Sequence, residues 1–110
     1  MIVSNEIAKL LATELETGDS VSDWYAPKES WDEGMPDVKK VHSALIDTSR
    51  WSEIHEAVYL EVKTGKYWHT TYSVGATESQ DERPYEYDGR EIEFTEVKPI
   101  EVKVIKYVEV

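Results

Sequence analysis

The stretch with the most residues that could do chemistry is ATESQDERPYEYDGREIEF, residues 76–94. It combines carboxylates, two arginines and two tyrosines around a proline, and it contains no apolar run. In an extended chain, Tyr85 and Tyr87 would lie on one side and Glu86 and Asp88 on the other. Rigid aromatic rings beside fixed charges are typical of protein-binding loops, which favours a contact surface. The alternative, a solvated loop whose acids keep the protein soluble, stays open.

A second segment, residues 18–37, is long and irregular, and such segments are often functional. It contains two tryptophans, which either cover the core or act as contact anchors, since tryptophan is favoured at binding hot spots. Together the two segments supply the predicted partner-binding set. Its members are Glu78, Asp81, Glu82, Tyr85, Glu86, Tyr87, Asp88, Trp24 and Trp31.

The three histidines do not have the spacing of a metal site. His42, His55 and His69 match no HExxH or paired-histidine motif. Pairing two strands around the turn KTGK sets His55 opposite Val74 or Gly75, far along the sheet from His69. A shared metal ion is therefore not expected.

The sequence gives even less indication of a calcium site or of a catalytic site. The 81–88 loop does not have the ligand spacing of an EF-hand, although a looser oxygen cage from its four acids stays open. The chain has no GxSxG, no phosphate-binding loop motif and no dinucleotide-binding motif. It has no cysteine, which excludes thiol nucleophiles, thiolate metal sites and disulfides. We therefore expect no enzyme activity and no cofactor.

The acidic charge is concentrated in two blocks. The net charge is −11. Residues 1–35 hold eight acids and two lysines, and residues 78–96 hold eight acids and two arginines. Residues 36–77 hold five of each sign, and residues 97–110 hold two acids and three lysines. This field would repel nucleic acid and anionic membranes and would attract a basic protein.

Length and the N-terminal stretch indicate the class of protein. A chain of 110 residues fits one domain, residues 1–110, with one modest core. The start, MIVSNEIAKLLATELETG, lacks the basic and long apolar regions of a signal peptide. No run approaches the roughly 18 apolar residues of a membrane helix. These features predict a cytoplasmic protein.

The first half of the chain predicts one helix and a strand. Ser4 is a suitable N-cap and Gly18 a suitable stop, with an apolar stripe between them, which predicts a helix over residues 5–17. Residues 38–46 fit either a helix or a strand, and their short length favours a strand.

The second half predicts a β-hairpin and two further strands. WSEIHEAVYLEV and YWHTTYSV flank the KTGK turn and form the hairpin. REIEFTEV puts Ile92 and Phe94 on one face. The last stretch, IEVKVIKYVEV, alternates as a half-buried strand does, and we expect it to be tied into the sheet. The fold class predicted is α+β, an N-terminal helix followed by a mostly antiparallel sheet of four or five strands.

The run YSVGATESQDERPYEYDG followed by EIEFTEVKPIEVKVIKYVEV resembles small uncharacterised acidic proteins encoded by phages and prophages. The resemblance implies a setting in which such proteins bind and block a host protein. We therefore expect a non-enzymatic acidic protein-binding domain, an inhibitor of a basic host nucleic-acid-binding protein. It would act either as a DNA mimic or by docking without imitating DNA. The alternative is a small structural or assembly protein that forms homo-oligomers through sheet edges.

Overall fold

The structure, a computed structural model, describes residues 1–24, 35–76 and 82–110. Its elements are β1 (Ile2–Ser4), α1 (Asn5–Thr13), α2 (Val21–Trp24), β2 (Val38–Thr48), β3 (Ser52–Glu61), β4 (Tyr67–Gly75), β5 (Glu91–Glu93) and β6 (Thr95–Val97). The larger sheet is antiparallel, in the order β2-β3-β4-β6, and β1 pairs with β5 in a separate antiparallel ribbon. The predicted α+β class is confirmed. None of the described helices has the length and apolar content needed to span a lipid bilayer.

Helix α1 begins where the sequence predicts and ends four residues early. The Ser4 hydroxyl caps it by accepting a hydrogen bond from the Ile7 backbone N–H at 3.2 Å. The helix ends at Thr13, not at residue 17, because the chain must turn towards the sheet. Gly18 makes that turn with φ +98° and donates its N–H to the Lys40 carbonyl at 2.7 Å.

The hairpin of β3 and β4 is confirmed, and residues 38–46 belong to strand β2. The predicted pairing register is wrong, because His55 lies opposite Tyr72. The Glu61 N–H donates to the Lys66 carbonyl at 2.8 Å. The turn is therefore centred nearer to β3 than a turn centred on the KTGK segment would be. One shifted turn therefore moves every cross-strand pair of the hairpin.

The two faces of the four-stranded sheet differ in what covers them. One face, here called the covered face, includes Ala57 and Tyr59 of β3, and these pack in one buried cluster with Leu11 of α1. The opposite face, here called the open face, has no element packed on it among the described residues. Its β3 side chains are Ile54, Glu56, Val58 and Leu60, all only partly buried. The aliphatic side of β3 therefore remains partly in contact with water.

Lys40 places a buried ammonium group on the covered face. It is 2 % exposed, and its Nζ donates to the Ala12 carbonyl at 3.3 Å. The same Nζ lies 5.6 Å from the centre of the Tyr59 ring. Burial lowers the pKa of Lys40 to about 8, because desolvation disfavours the charged form.

The last residues do not form the predicted strand. Residues 98–110 have no strand assignment, and the segment 100–110, here called the arm, is exposed throughout. Strand β6 ends at Val97, which pairs with Tyr67 at the first position of β4. Beyond that pair β4 offers no further backbone to the arm. The radius of gyration is 16.0 Å, against about 13 Å for a compact domain of this length, in keeping with an arm that projects from the domain.

Candidate functional site

The acidic segment 82–91 is fastened to the start of helix α1. The Asn5 side-chain amide donates to the carbonyls of Tyr85 and Gly89 at 2.8 and 2.6 Å. The Asn5 backbone N–H donates to the Arg90 carbonyl at 2.8 Å. A single asparagine thus closes the loop against the β1–β5 ribbon, so the acids that follow are held in a defined position.

Tyr85 is a core residue of this segment. Its side chain is 2 % exposed, and its hydroxyl shares a 2.6 Å hydrogen bond with the Thr70 hydroxyl. Its ring lies 5.5 Å from that of Tyr72, and burial raises its pKa. Tyr85 has φ +60°, which turns the chain so that Tyr87 is 81 % exposed. The expectation that both rings lie on one side is therefore wrong.

Two further acids of the predicted set accept hydrogen bonds within the protein. Glu82 accepts hydrogen bonds from the hydroxyls of Ser52 and Ser73, at 2.9 and 3.1 Å through Oε1, and so joins the loop to β3 and β4. Glu86 is exposed, and its Oε2 accepts from the Arg83 backbone N–H at 3.2 Å. Both acids help to hold the loop in shape.

The rest of the predicted set is only partly described. Glu78, Asp81 and Trp31 lie outside the described residues. Trp24 is the last residue of α2, and its side chain lies outside the description as well. Asp88 is exposed and lines the groove described next, so the structure brings together Tyr85 and Asp88 from the predicted set.

A groove of about 310 Å³ lies between the acidic segment and strand β4. Three exposed carboxylates line it, those of Asp88, Glu91 and Glu93. Its other lining residues are His69, Thr70, Thr71, Tyr85, Ile92 and Thr95, so none is a lysine or an arginine. Within the described part of the chain, none of the three carboxylates forms an ion pair. This surface, here called the acidic groove, can accept a cationic side chain.

Glu91 and Glu93 are absent from the predicted set, although the sequence carries a signal for them. Ile92 and Phe94 are buried, so the alternation of REIEF places both glutamates on the solvent side of β5. The complementary polar face is the one that lines the groove.

The open face carries a second concave surface, which is apolar. A groove of about 240 Å³ is lined by Val41, Val58, Tyr67, Val97 and Pro99, together with His42 and Lys98. Val41 is the extra residue of a β-bulge, since the register of β2 jumps from Lys40 to His42. We call this surface the apolar groove. The arm leaves the domain next to it, directly after Pro99.

A histidine–carboxylate cluster crosses three strands of the open face. Glu56 of β3 accepts hydrogen bonds from His42 Nε2 at 2.9 Å and His69 Nε2 at 3.0 Å, one on each carboxylate oxygen. Both hydrogen bonds lower the pKa of Glu56, and the one from His42 has the larger effect. The cluster explains why a charged residue interrupts the aliphatic side of β3. In the part of the chain that the structure describes, no group of three such side chains is arranged to hold a metal ion.

Comparison with known proteins adds no assignment to this geometry. No protein-family model, no curated protein and no solved structure matches the chain.

Proposed function

We propose that this chain is a non-enzymatic acidic protein-binding domain that acts in the cytoplasm on a basic partner. The acidic groove is the observation that carries the proposal. It joins three exposed carboxylates, which form no ion pair with any described residue, to a segment anchored by Asn5 and Tyr85. Acids held in fixed positions lose little conformational freedom when a lysine or arginine docks, which favours affinity.

The charge of the whole chain supports the same kind of partner. The net charge of −11 steers basic proteins towards the surface and raises their association rate at low salt. The finer proposal, following the resemblance to phage and prophage proteins, is that the partner is a nucleic-acid-binding protein of the host. Such a partner already has a basic surface shaped for a polyanion.

The test compares two variants that change the net charge equally. In the groove variant Asp88→Asn, Glu91→Gln and Glu93→Gln remove three carboxylates from the acidic groove. In the control variant Glu6→Gln, Glu14→Gln and Glu16→Gln remove three exposed carboxylates from α1 and the turn after it. Each protein is immobilised, exposed to bacterial lysate and eluted with stepped salt.

We expect the wild type and the control variant to retain the same basic protein, and the groove variant to release it at much lower salt. Equal elution from both variants would show that only total charge matters and would remove the groove from the proposal. Retention of no basic protein by the folded wild type would remove the proposal itself. Competition by duplex DNA for the captured protein then decides between a DNA mimic and an inhibitor that docks elsewhere.

A further inference from the structure

The arm presents an apolar surface that nothing in the described chain covers. Its even-numbered positions are Ile100, Val102, Val104, Lys106, Val108 and Val110, and the five aliphatic members are at least 69 % exposed. Lys106 interrupts this stripe once, and monomeric proteins rarely leave so many neighbouring aliphatic side chains in water, because their burial is favourable. The aliphatic residues recur at every second position, so an extended arm presents them on one side.

The apolar groove is a site without an occupant. Its volume of about 240 Å³ lies below the range of about 300–1,000 Å³ that is typical of small-molecule pockets. Its walls are mostly aliphatic and aromatic, and the imidazole of His42 is already hydrogen-bonded to Glu56, so few polar groups are left to orient a metabolite. Valine and isoleucine side chains match this size and chemistry.

The arm and the groove therefore form complementary halves of one contact, and both are present in every copy of the chain. The arm does not fill the groove of its own chain, because all of its residues are exposed. Pro99 forms part of the groove wall, so the arm starts at the rim and leads away. A second copy related by a two-fold axis can exchange arms so that both grooves are filled.

The distribution of charge favours a second copy at this place. Two chains of net charge −11 repel each other, but the acids lie mainly in residues 1–35 and 78–96. The sheet segment 36–77 has no net charge, and residues 97–110 have a net charge of +1. Arm and groove lie within these two parts of the chain, where repulsion between copies is weakest.

We propose that the chain forms a homodimer by arm exchange, in which the even-numbered side chains of one arm enter the apolar groove of the other copy. The apolar groove shares no lining residue with the acidic groove, and the proposed dimer does not depend on the function proposed above. The contact is apolar and screening weakens the repulsion between acidic copies, so added salt strengthens the dimer.

The first measurement is sedimentation of the full chain over a range of concentrations, at low and at high salt. We expect a concentration-dependent dimer whose dissociation constant falls as salt increases. The arm variants Val104→Asp and Ile105→Asp are a matched pair, since both residues are exposed aliphatics and adjacent in the arm. We expect Val104→Asp to raise the dissociation constant about tenfold or more, and Ile105→Asp to change it far less.

The second measurement tests the exchange itself. Val41→Asp places a charge in the groove at a bulged residue, outside the pairing register, and circular dichroism checks that the variant folds. Arm exchange predicts that Val41→Asp and Val104→Asp each weaken self-association, while their mixture forms a heterodimer through one intact arm–groove contact. A monomer at every concentration and salt, equal effects of the two arm variants, or no heterodimer in the mixture would overturn the proposal.

Discussion

The acidic groove and the arm with its apolar groove are two surfaces of one chain, built in opposite ways. The acidic groove is charged and anchored, since Asn5 and Tyr85 bind its supporting segment to the helix and to the sheet. The arm carries an exposed aliphatic stripe and, among the described residues, makes no hydrogen bond to the rest of the chain. One surface is ordered before any contact forms. The other is exposed along its whole length.

This difference gives the two surfaces opposite responses to salt. Attraction between carboxylates and a basic partner is screened as ionic strength rises. Burial of aliphatic side chains is not screened, and repulsion between like-charged copies declines. A single salt titration therefore separates the two contacts.

Removing the Tyr85 anchor of the acidic segment should lower the stability of the protein more than any other change proposed below. Tyr85→Ala removes a buried ring and its hydrogen bond to Thr70, and we expect the free energy of unfolding to fall by about 3–5 kcal/mol. Tyr107→Ala removes a ring of the arm that is 93 % exposed, and we expect a change within about 0.5 kcal/mol. Urea denaturation at low protein concentration measures both. Equal losses in the two variants would mean that the arm is packed in the monomer and is not a free segment.

The parts of the fold that the sequence predicts are those with local causes. Ser4 caps α1 through a hydroxyl three residues from the N–H it binds, and the β3–β4 hairpin follows from alternation around a glycine turn. The arm shows the limit of this reasoning. Its alternation is as regular as that of β3, but a strand also needs a neighbour with free backbone groups. Strand β4 begins at Tyr67, which already pairs with Val97, so it has no residue left to pair with the arm.

The candidate site was predictable only in part, for a similar reason. Acid density along the chain indicates the segment that contains Asp88. It does not reveal that Tyr85 turns inward, because that depends on Asn5 and Thr70, far away in sequence. Strand alternation also cannot say which side of β3 is covered. The helix covers the side of Tyr59, and the more aliphatic side stays open.

A second prediction concerns charge on the covered face of the sheet. Lys40→Met replaces a buried ammonium, whose only hydrogen bond in the described structure is to the Ala12 carbonyl, with an apolar side chain of similar length. We expect the free energy of unfolding at pH 7 to rise by about 1–3 kcal/mol, because no ion needs to be desolvated. Lys39→Met, one residue away and exposed, is the matched control and should change little.

Lys40 also predicts how stability depends on pH. Its pKa is about 8 in the folded protein and 10.5 in the unfolded chain, so between these values the unfolded chain binds more protons. Wild-type stability should therefore rise from about pH 8 to about pH 10, by about 1–2 kcal/mol. At higher pH the buried tyrosines oppose this trend, because burial raises the pKa values of Tyr59, Tyr72 and Tyr85. If the stability of Lys40→Met rose by the same amount over this pH range, the pH dependence would have to come from another group.

The smallest expected effect concerns charge on the open face. Glu56→Gln keeps the shape of the side chain but removes the charge that accepts hydrogen bonds from His42 and His69. The cluster is partly exposed, so we expect a loss of only about 0.5–1 kcal/mol at pH 7. The matched control is Glu53→Gln, on the other side of the same strand.

The loss in Glu56→Gln should depend on pH in a defined direction. The folded pKa of Glu56 is lowered, so its carboxylate stabilises the fold above the unfolded pKa of 4.5, and this contribution disappears as pH falls through the folded value. Urea denaturation at stepped pH should therefore show wild type and Glu56→Gln converging in acid, with Glu53→Gln close to wild type throughout. A difference that persists in acid would mean that the geometry of the cluster matters and not its charge. The side chain of residue 56 would then stabilise the open face through its packing, as the side chains of the covered face do.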